Sequence, residues 1–364
     1  MRTVATTGSV YVTSRTDGRL SRELQKMAGT IRKKEHLVVT FSEQRSPADH
    51  VRSCDELLSE CATEIVYSAL LNMAGVGKRD IYNITAPFRS DGQWIIAARV
   101  ESRVSELATT MFFGLGDRGT WFPIKASPLY PGLQDPCICR LGSELVFGGV
   151  RFPITLEDGS DGWRMEFYRG NSIHNLRKFF VGPDGMKDIR LCALPDSRVA
   201  VLTRPQGRVG GLGKIGFVVL DSLDDMRTDV VQRAPVFENQ FRDEEWGGAN
   251  EVHLLSNGLL GVLGHIACFD VHKNRHYYPM AFALDPETRF SSPIRILATR
   301  SLFPPAPHKR TDLADVIFSG GLIRNWDGTA DLFAGVSDAA AGVLRIRDPF
   351  LIYEAEGGFN PVNP

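Results

Sequence analysis

The stretch IYNITAPFRSDGQWIIAARVE, residues 81–101, decides the fold. A short apolar run rich in β-branched and aromatic side chains leads to Ser90-Asp91-Gly92, and IIAARV follows before the chain ends on charged groups. Asp and Gly tolerate the left-handed backbone of a tight turn, so the stretch reads as strand, turn, strand.

The same plan returns four times. QDPCICRLGSELVFGGVR turns at Leu-Gly-Ser and ends on Arg151, and KDIRLCALPDSRVAVLTRPQG turns at Pro-Asp-Ser and carries Arg204. ANEVHLLSNGLLGVLGH turns at Ser-Asn-Gly and ends on His265, and DVIFSGGLIRNWDGTADLFAGVSD turns at Trp-Asp-Gly and ends on Asp338. The hairpin ends recur about every fifty to seventy residues, which leaves room for one or two more strands per repeat. FYRGNSIHNLRKFF and YYPMAFALD fit those places. The pattern predicts an all-β fold with little helix, a five-bladed β-propeller forming one domain over residues 1–364, with its active site at one end of the central channel. Helix is expected only at the start of CDELLSECATEIVYSALL, residues 54–71, ahead of a strand, and as single turns in LDSLDDM and TDLADV.

The 42 basic and 43 acidic residues nearly cancel, so global charge gives no reason to expect nucleic acid or an anionic membrane. The first twenty residues hold no apolar signal core and no run is long enough to span a bilayer. The 6 cysteines make no CxxC pair and read as free thiols of a reducing compartment, which predicts a cytoplasmic protein. No nucleophile elbow, zinc motif or P-loop is present. GRVGGLGKIGF, residues 207–217, lacks the P-loop spacing, and Lys214 within it reads as a solvated turn lysine. Asn250-Glu251-Val252-His253 reads as a capped or core-facing pair before it reads as a metal set. Neither a metal nor a cofactor is expected.

If all five units run in the same radial direction, the polar residues at their ends gather at one mouth. Those residues are Asn83, Arg99, Asp135, Arg151, Arg190, Arg204, Asn250, His265 and Asp338. Among them Asp135 is unusual. Strands disfavour Asp, and Pro136 removes a ladder donor, so Gln-Asp-Pro belongs at a strand entrance or edge. There Asp135 either caps a turn or serves as an acid. Arginine forks suit phosphate, and amides suit sugar hydroxyls, so the set fits a phosphorylated or nucleotide-linked sugar. A phosphate nucleophile arrives already anionic, and one carboxylate then suffices where glycoside hydrolysis with inversion needs two.

GLQDP resembles the Gly-x-Glu-Asp-Pro signature of the β-mannoside phosphorylases of glycoside hydrolase family one-thirty, five-bladed propellers with a single catalytic aspartate. IYNITAPF, ARVESR, LQDPCI, FGGVR, MKDIRL, TRPQG, EWGGANEVHLL, GVLGHIA, RHYYPM, DVIFSGGL and GVSD resemble more closely a family long known only as a domain of unknown function. Its protozoan members are mannosyltransferase/phosphorylases of β-1,2-linked mannose reserves called mannogen. The resemblance implies Asp135 as the catalytic group and small sugar substrates: β-1,2-mannose oligosaccharides, GDP-mannose, and phosphate or mannose 1-phosphate. It implies anion binding by Arg151, Arg204 and His265, to which the strand-end reading adds Arg99 and Arg190, and it leaves Asn83, Glu101, Asn250 and Asp338 as the expected sugar-binding residues. Gln134 departs from the phosphorylase pattern, which has Glu there. Two rivals stay open: a hydrolase using Glu101, Glu251 or Asp338 as a second carboxylate, and a sugar-binding propeller without catalysis.

Overall fold

The computed structural model describes residues 51–355, so the first twenty residues, read above for a signal, lie outside the described part. The chain is mostly β-strand with a few short helices. Ser53 accepts a hydrogen bond from the Glu56 amide at 3.2 Å, and Glu56 accepts one from the Ser53 amide at 2.7 Å. This capping box starts helix α1 (Cys54–Ser59), and strand β1 (Ile65–Leu70) follows. The expected single turns form as 3₁₀ helices at Leu223–Asp225 and Thr311–Leu313.

Five units of antiparallel strands come next. The first contains β2 (Asp80–Ile84), β3 (Phe88–Ser90), β4 (Gln93–Glu101), β5 (Thr109–Leu115), β6 (Trp121–Pro123) and β7 (Tyr130–Pro131). The second contains β8 (Leu133–Leu141), β9 (Glu144–Thr155), β10 (Asp161–Gly170) and β11 (Arg177–Val181). The third has only β12 (Arg190–Ala193), β13 (Val199–Thr203) and β14 (Gly216–Leu220). The fourth contains β15 (Trp246–Leu254), β16 (Leu260–Phe269), β17 (Arg275–Leu284) and β18 (Arg295–Ile296). The last contains β19 (Asp315–Arg324), β20 (Thr329–Val336) and β21 (Ala340–Arg347), with β1 paired to β21. A two-pair parallel ladder, His276 to Asp315 and Tyr277 to Val316, joins the fourth and fifth units into one sheet.

The five hairpins read from the sequence all form, and each turn holds a residue of positive φ: Gly92, Gly142, Ser197, Gly258 and Gly328. The first long strand of each unit, β2, β8, β12, β15 and β19, touches the next in cyclic order, and β19 returns to β2. Strand β8 also reaches β15 and β19. Approach there is close: a Cβ on Gly320 of β19 would lie 1.5 Å from the Ile84 carbonyl of β2.

Apolar side chains fill the spaces between successive units. Phe112 packs with Phe147, Phe167 with Leu191, Phe217 with Phe282, Leu263 with Leu332, and Phe333 with Phe113 in five separate cores. Each core joins two neighbours, so burial holds the units in their cyclic order. Among the described residues no helix is long and apolar enough to cross a membrane.

The β1–β21 seam carries a buried ion pair. Arg345 donates from Nε and Nη2 to the two oxygens of Asp331 at 2.6 Å each, and the Tyr67 hydroxyl of β1 adds 3.2 Å. Removing one partner leaves a charge uncompensated in the core. Asp331→Ala should therefore cost about 3–5 kcal/mol. A urea melt with the loss below about 1 kcal/mol would contradict this placement.

Candidate active site

Three of the inner strands lose regular register at a polar residue. Strand β8 breaks register between Gln134 and Cys137, β2 between Tyr82 and Ile84, and β15 between Ala249 and Glu251. Such bulges re-aim a side chain and end local pairing. Asp135 (φ 46°) and Asn83 (φ 42°) take left-handed backbone at these points, as does Asp188 (φ 57°) just before β12. Asn and Asp are the side-chain-bearing residues that accept this conformation most readily. Pro136, which has no ladder donor to lose, follows naturally.

The first cluster forms around Asp135. Its Oδ1 accepts from Asn83 Nδ2 at 2.8 Å and from Arg99 Nη1 at 3.2 Å. Arg99 also donates to Glu101 Oε2 from Nε at 3.2 Å and to Glu106 Oε2 from Nη2 at 3.0 Å, so three carboxylates share one guanidinium. Burial, the largest influence on Arg99, opposes its charge, but Asp135, Tyr82, Glu101 and Asp338 outweigh it and push its pKa up. Lys309 and the Tyr82 hydroxyl both donate to Glu101. Lys309 and Arg310 hold Glu106 at 3.0 and 2.9 Å. Gln134 donates to the Glu106 carbonyl at 2.7 Å, tying the residue before Asp135 to the same loop.

Asp338 faces this cluster, partly buried, with no hydrogen-bond partner among the described residues. Burial, and then the charges of Asp135 and Glu101, push its pKa up to about 6 against the pull of Arg99 and Lys309. It is the carboxyl of this mouth that holds a proton closest to neutrality.

The second cluster forms around Asp188, which is 2% exposed. Arg204 Nη1 lies 3.5 Å from Asp188 Oδ2, Arg190 Nη2 3.7 Å from Oδ1, and His265 Nε2 4.0 Å from Oδ2. Arg190 Nε donates to the Asn250 carbonyl at 2.7 Å and Arg204 Nε to the Gly247 carbonyl at 2.9 Å, which fixes both guanidinium planes. The Asn250 side-chain oxygen lies 2.8 Å from His265 Nδ1. Gly248 makes the room: a Cβ there would sit 2.8 Å from Arg204 Cδ and 3.0 Å from Asp188 Oδ2. Burial, followed by Arg204, Lys187 and Arg190, lowers the His265 pKa to about 3, although Asp188 opposes them. His265 is therefore neutral at physiological pH: its Nδ1–H goes to the Asn250 side-chain oxygen, which leaves Nε2 an acceptor, and the ring brings the cluster no positive charge.

Sequence-derived site residues thus divide. Asp135, Asn83, Arg99, Glu101 and Asp338 share one cluster, and Arg190, Arg204, Asn250 and His265 share the other. Arg151 joins neither through a hydrogen bond or ion pair among the described residues. It donates to Glu166 at 2.8 Å, and Lys178 holds the same carboxylate at 3.0 Å. Glu166 is drawn down to about 2, because these donors and the Tyr168 hydroxyl outweigh the effect of its burial. Glu251 is likewise occupied: its Oε2 accepts from the Leu322 amide and faces His253 Nε2, both at 2.7 Å. Among the described residues no group of three or more His, Cys, Asp or Glu is placed to hold a metal ion. Lys214 pairs with Glu238.

Sequence reasoning missed Asp188, Lys187, Glu106 and Lys309. Asp188 had a signal, since it stands at the entrance of the third hairpin as Asp135 stands at that of the second. Glu106 and Lys309 lie in loops and had none.

A family model described as "Protein of unknown function (DUF1861)" matches residues 59–352. The chain belongs to this family. Its solved relatives include a mannose phosphorylase from Leishmania mexicana in complex with phosphate ion, 31% identical over 83% of this chain and 93% of that one, with a TM-score of 0.74. A GDP-Man-dependent mannosyltransferase from the same organism is 30% identical over 82% of this chain and 95% of its own, with a TM-score of 0.74. The β-1,2-mannobiose phosphorylase of Listeria innocua, 13% identical over 77% of this chain and 94% of that one, shares the fold at a TM-score of 0.55. No curated protein matches the chain by sequence.

The raised Asp338 gives a signed pH effect. Between about pH 4 and about 6 the folded state binds more protons at this group than the unfolded state, so stability falls as pH rises through that window. Asp338→Asn should therefore stabilise the protein above pH 6 and do nothing below pH 4. Thermal melts at pH 4 and pH 8 check this, and equal shifts at both would contradict it.

Proposed function

We propose that the chain is a mannoside phosphorylase and mannosyltransferase acting on β-1,2-linked mannose, built on a closed five-bladed propeller. The cyclic contacts of the five inner strands and the five inter-unit cores support that architecture. The observation that carries the chemistry is the pairing of two clusters on neighbouring inner strands: a carboxylate aimed out of a bulge at Asp135, and a pocket of arginines around Asp188. The phosphate complex of the Leishmania phosphorylase supports a reaction that uses phosphate, and the arginines favour the second cluster as its place. Six free cysteines fit a cytoplasmic location.

In phosphorolysis a phosphate oxygen, held by Arg190 and Arg204 with Lys187 nearby, attacks the anomeric carbon from the face opposite the glycosidic bond. That bond breaks, and Asp135 protonates the departing oxygen directly or through a sugar hydroxyl, giving α-mannose 1-phosphate by inversion. Asn83 and Arg99 fix the Asp135 carboxyl, Asp338 faces the sugar, and Asn250 lies with Arg190 and His265 on the phosphate side. In synthesis, with GDP-mannose or mannose 1-phosphate as donor, Asp135 takes the acceptor's proton. Arg151, committed to Glu166, stays outside the pocket.

Asp338 favours one second reading. With its pKa near 6 it could serve with Asp135 as the carboxyl pair of an inverting hydrolase, whereas Glu101 and Glu251 are held in ion pairs. Incubation with β-1,2-mannobiose, with and without phosphate, separates the readings: mannose 1-phosphate marks phosphorolysis, and phosphate-independent release of mannose marks hydrolysis. GDP-mannose plus mannose tests transfer.

Asp135→Asn keeps shape and most hydrogen bonds, so it should fold, bind mannose oligosaccharides, and lose about 10²- to 10⁴-fold in both directions. Near-normal turnover would remove Asp135 from the chemistry. Arg204→Lys cannot reproduce the guanidinium fork and should raise the KM for phosphate about tenfold or more, while Arg151→Lys should leave it within about twofold. The opposite ranking would move the pocket to Arg151.

A further inference from the structure

The proposed anion pocket contains an anion of its own. Asp188 is almost wholly buried between Arg190 of β12, Arg204 beyond β13 and His265 of β16. Burial, the largest influence, opposes its ionisation, but Arg204, His265, Arg190 and Lys187 outweigh it and hold the carboxyl below its usual range. Because His265 is itself neutral at physiological pH, the two arginines and Lys187 carry that effect there. An ionised carboxylate only accepts hydrogen bonds. Any oxyanion drawn in by the arginines therefore meets a fixed negative charge unless it brings a proton.

The atoms left without partners match such a ligand. Asp188 Oδ2 is buried with no hydrogen-bond donor, and Arg204 Nη1, 3.5 Å away, is buried with no hydrogen-bond acceptor. The Asn250 amide nitrogen is a third buried atom without a partner. Unsatisfied buried polar atoms are uncommon and costly, and three on adjoining residues call for a common explanation. An unpartnered acceptor beside unpartnered donors is complementary to a group that both donates and accepts. Monohydrogen phosphate is such a group: its hydroxyl donates, and its other oxygens accept.

We propose that Asp188 is a specificity residue that reads the proton of the bound oxyanion, so that the pocket takes monohydrogen phosphate and rejects unprotonated anions of the same shape. The proposal rests on the phosphate reading of this cluster. Sulfate matches phosphate in size and charge but has no proton near neutral pH. It would set lone pairs against the Asp188 lone pairs, losing one charge-assisted hydrogen bond and gaining a repulsion. Hydrogen bonds to charged groups of this kind correspond to about 10- to 100-fold in affinity.

The test uses the wild-type chain at pH 7. Calorimetry measures binding of phosphate, arsenate, sulfate and monofluorophosphate, the last a dianion in which fluorine replaces the phosphate hydroxyl. Phosphorolysis of β-1,2-mannobiose is measured in parallel. Phosphate and arsenate should bind, with sulfate and monofluorophosphate at least about tenfold weaker. Asp188→Asn, whose amide can donate, should bring the sulfate and phosphate affinities to within about threefold of each other. If that variant does not fold, the wild-type ranking still decides. Phosphate-dependent activity with sulfate bound as tightly as phosphate would overturn the role of Asp188 and leave the phosphate site standing. Failure of phosphate to bind or to support turnover would remove the phosphate site, and the reading of Asp188 with it.

Discussion

The close approach of the inner strands β2, β8, β12, β15 and β19 is the constraint from which the rest follows. Backbone approaches backbone there so closely that a single methyl at Gly320 would collide with the Ile84 carbonyl. Side chains cannot fill such a centre. Strands β2, β8 and β15 break register there, and each of these breaks falls at a polar residue, Asn83, Asp135 or Asn250. Asn83, Asp135 and Asn250 are placed by this geometry. The same positions would be poor strand residues anywhere else, which is why the sequence looks locally wrong for a strand where the fold most needs it.

The two clusters differ in charge. Around Asp135 the carboxylates Glu101, Glu106 and Asp338 crowd against Arg99, Lys309 and Arg310, and one of them, Asp338, keeps its proton to about pH 6. Around Asp188 a single carboxylate faces Arg190, Arg204 and Lys187. In the proposed reaction the first cluster moves the proton and the second holds the anion.

What could be read from the sequence was local. The five hairpins were visible because Ser-Asp-Gly, Leu-Gly-Ser, Pro-Asp-Ser, Ser-Asn-Gly and Trp-Asp-Gly are turn chemistry that acts within a few residues. Asp135 was visible because Asp-Pro conflicts with the strand around it. The seam between β1 and β21 was not visible, since nothing near residues 65–70 names a partner at the far end of the chain. The partner of Arg151 was not visible either. Arg151 at a hairpin end looked like Arg204, but its partner Glu166 comes from β10, a strand whose register cannot be fixed from alternation alone. Glu106 and Lys309 come from loops that meet only in three dimensions, and they carry no pattern of their own.

His265 makes the limit of residue-type reasoning concrete. A histidine beside two arginines in an anion pocket looks like a third cation, and composition alone supports that reading. Burial reverses it. With 1% of its surface exposed and three positive charges nearby, the imidazole sheds its proton far below neutrality, even with Asp188 at 4.0 Å. The positive charge of the cluster then comes from groups that cannot easily lose it, while His265 spends its one N–H on the Asn250 side-chain oxygen. Any pH dependence of anion binding across the physiological range would then come from the anion's own proton and not from these side chains. The group in this mouth with a pKa displaced into that neighbourhood is Asp338, on the other side, where proton transfer takes place in the proposed reaction.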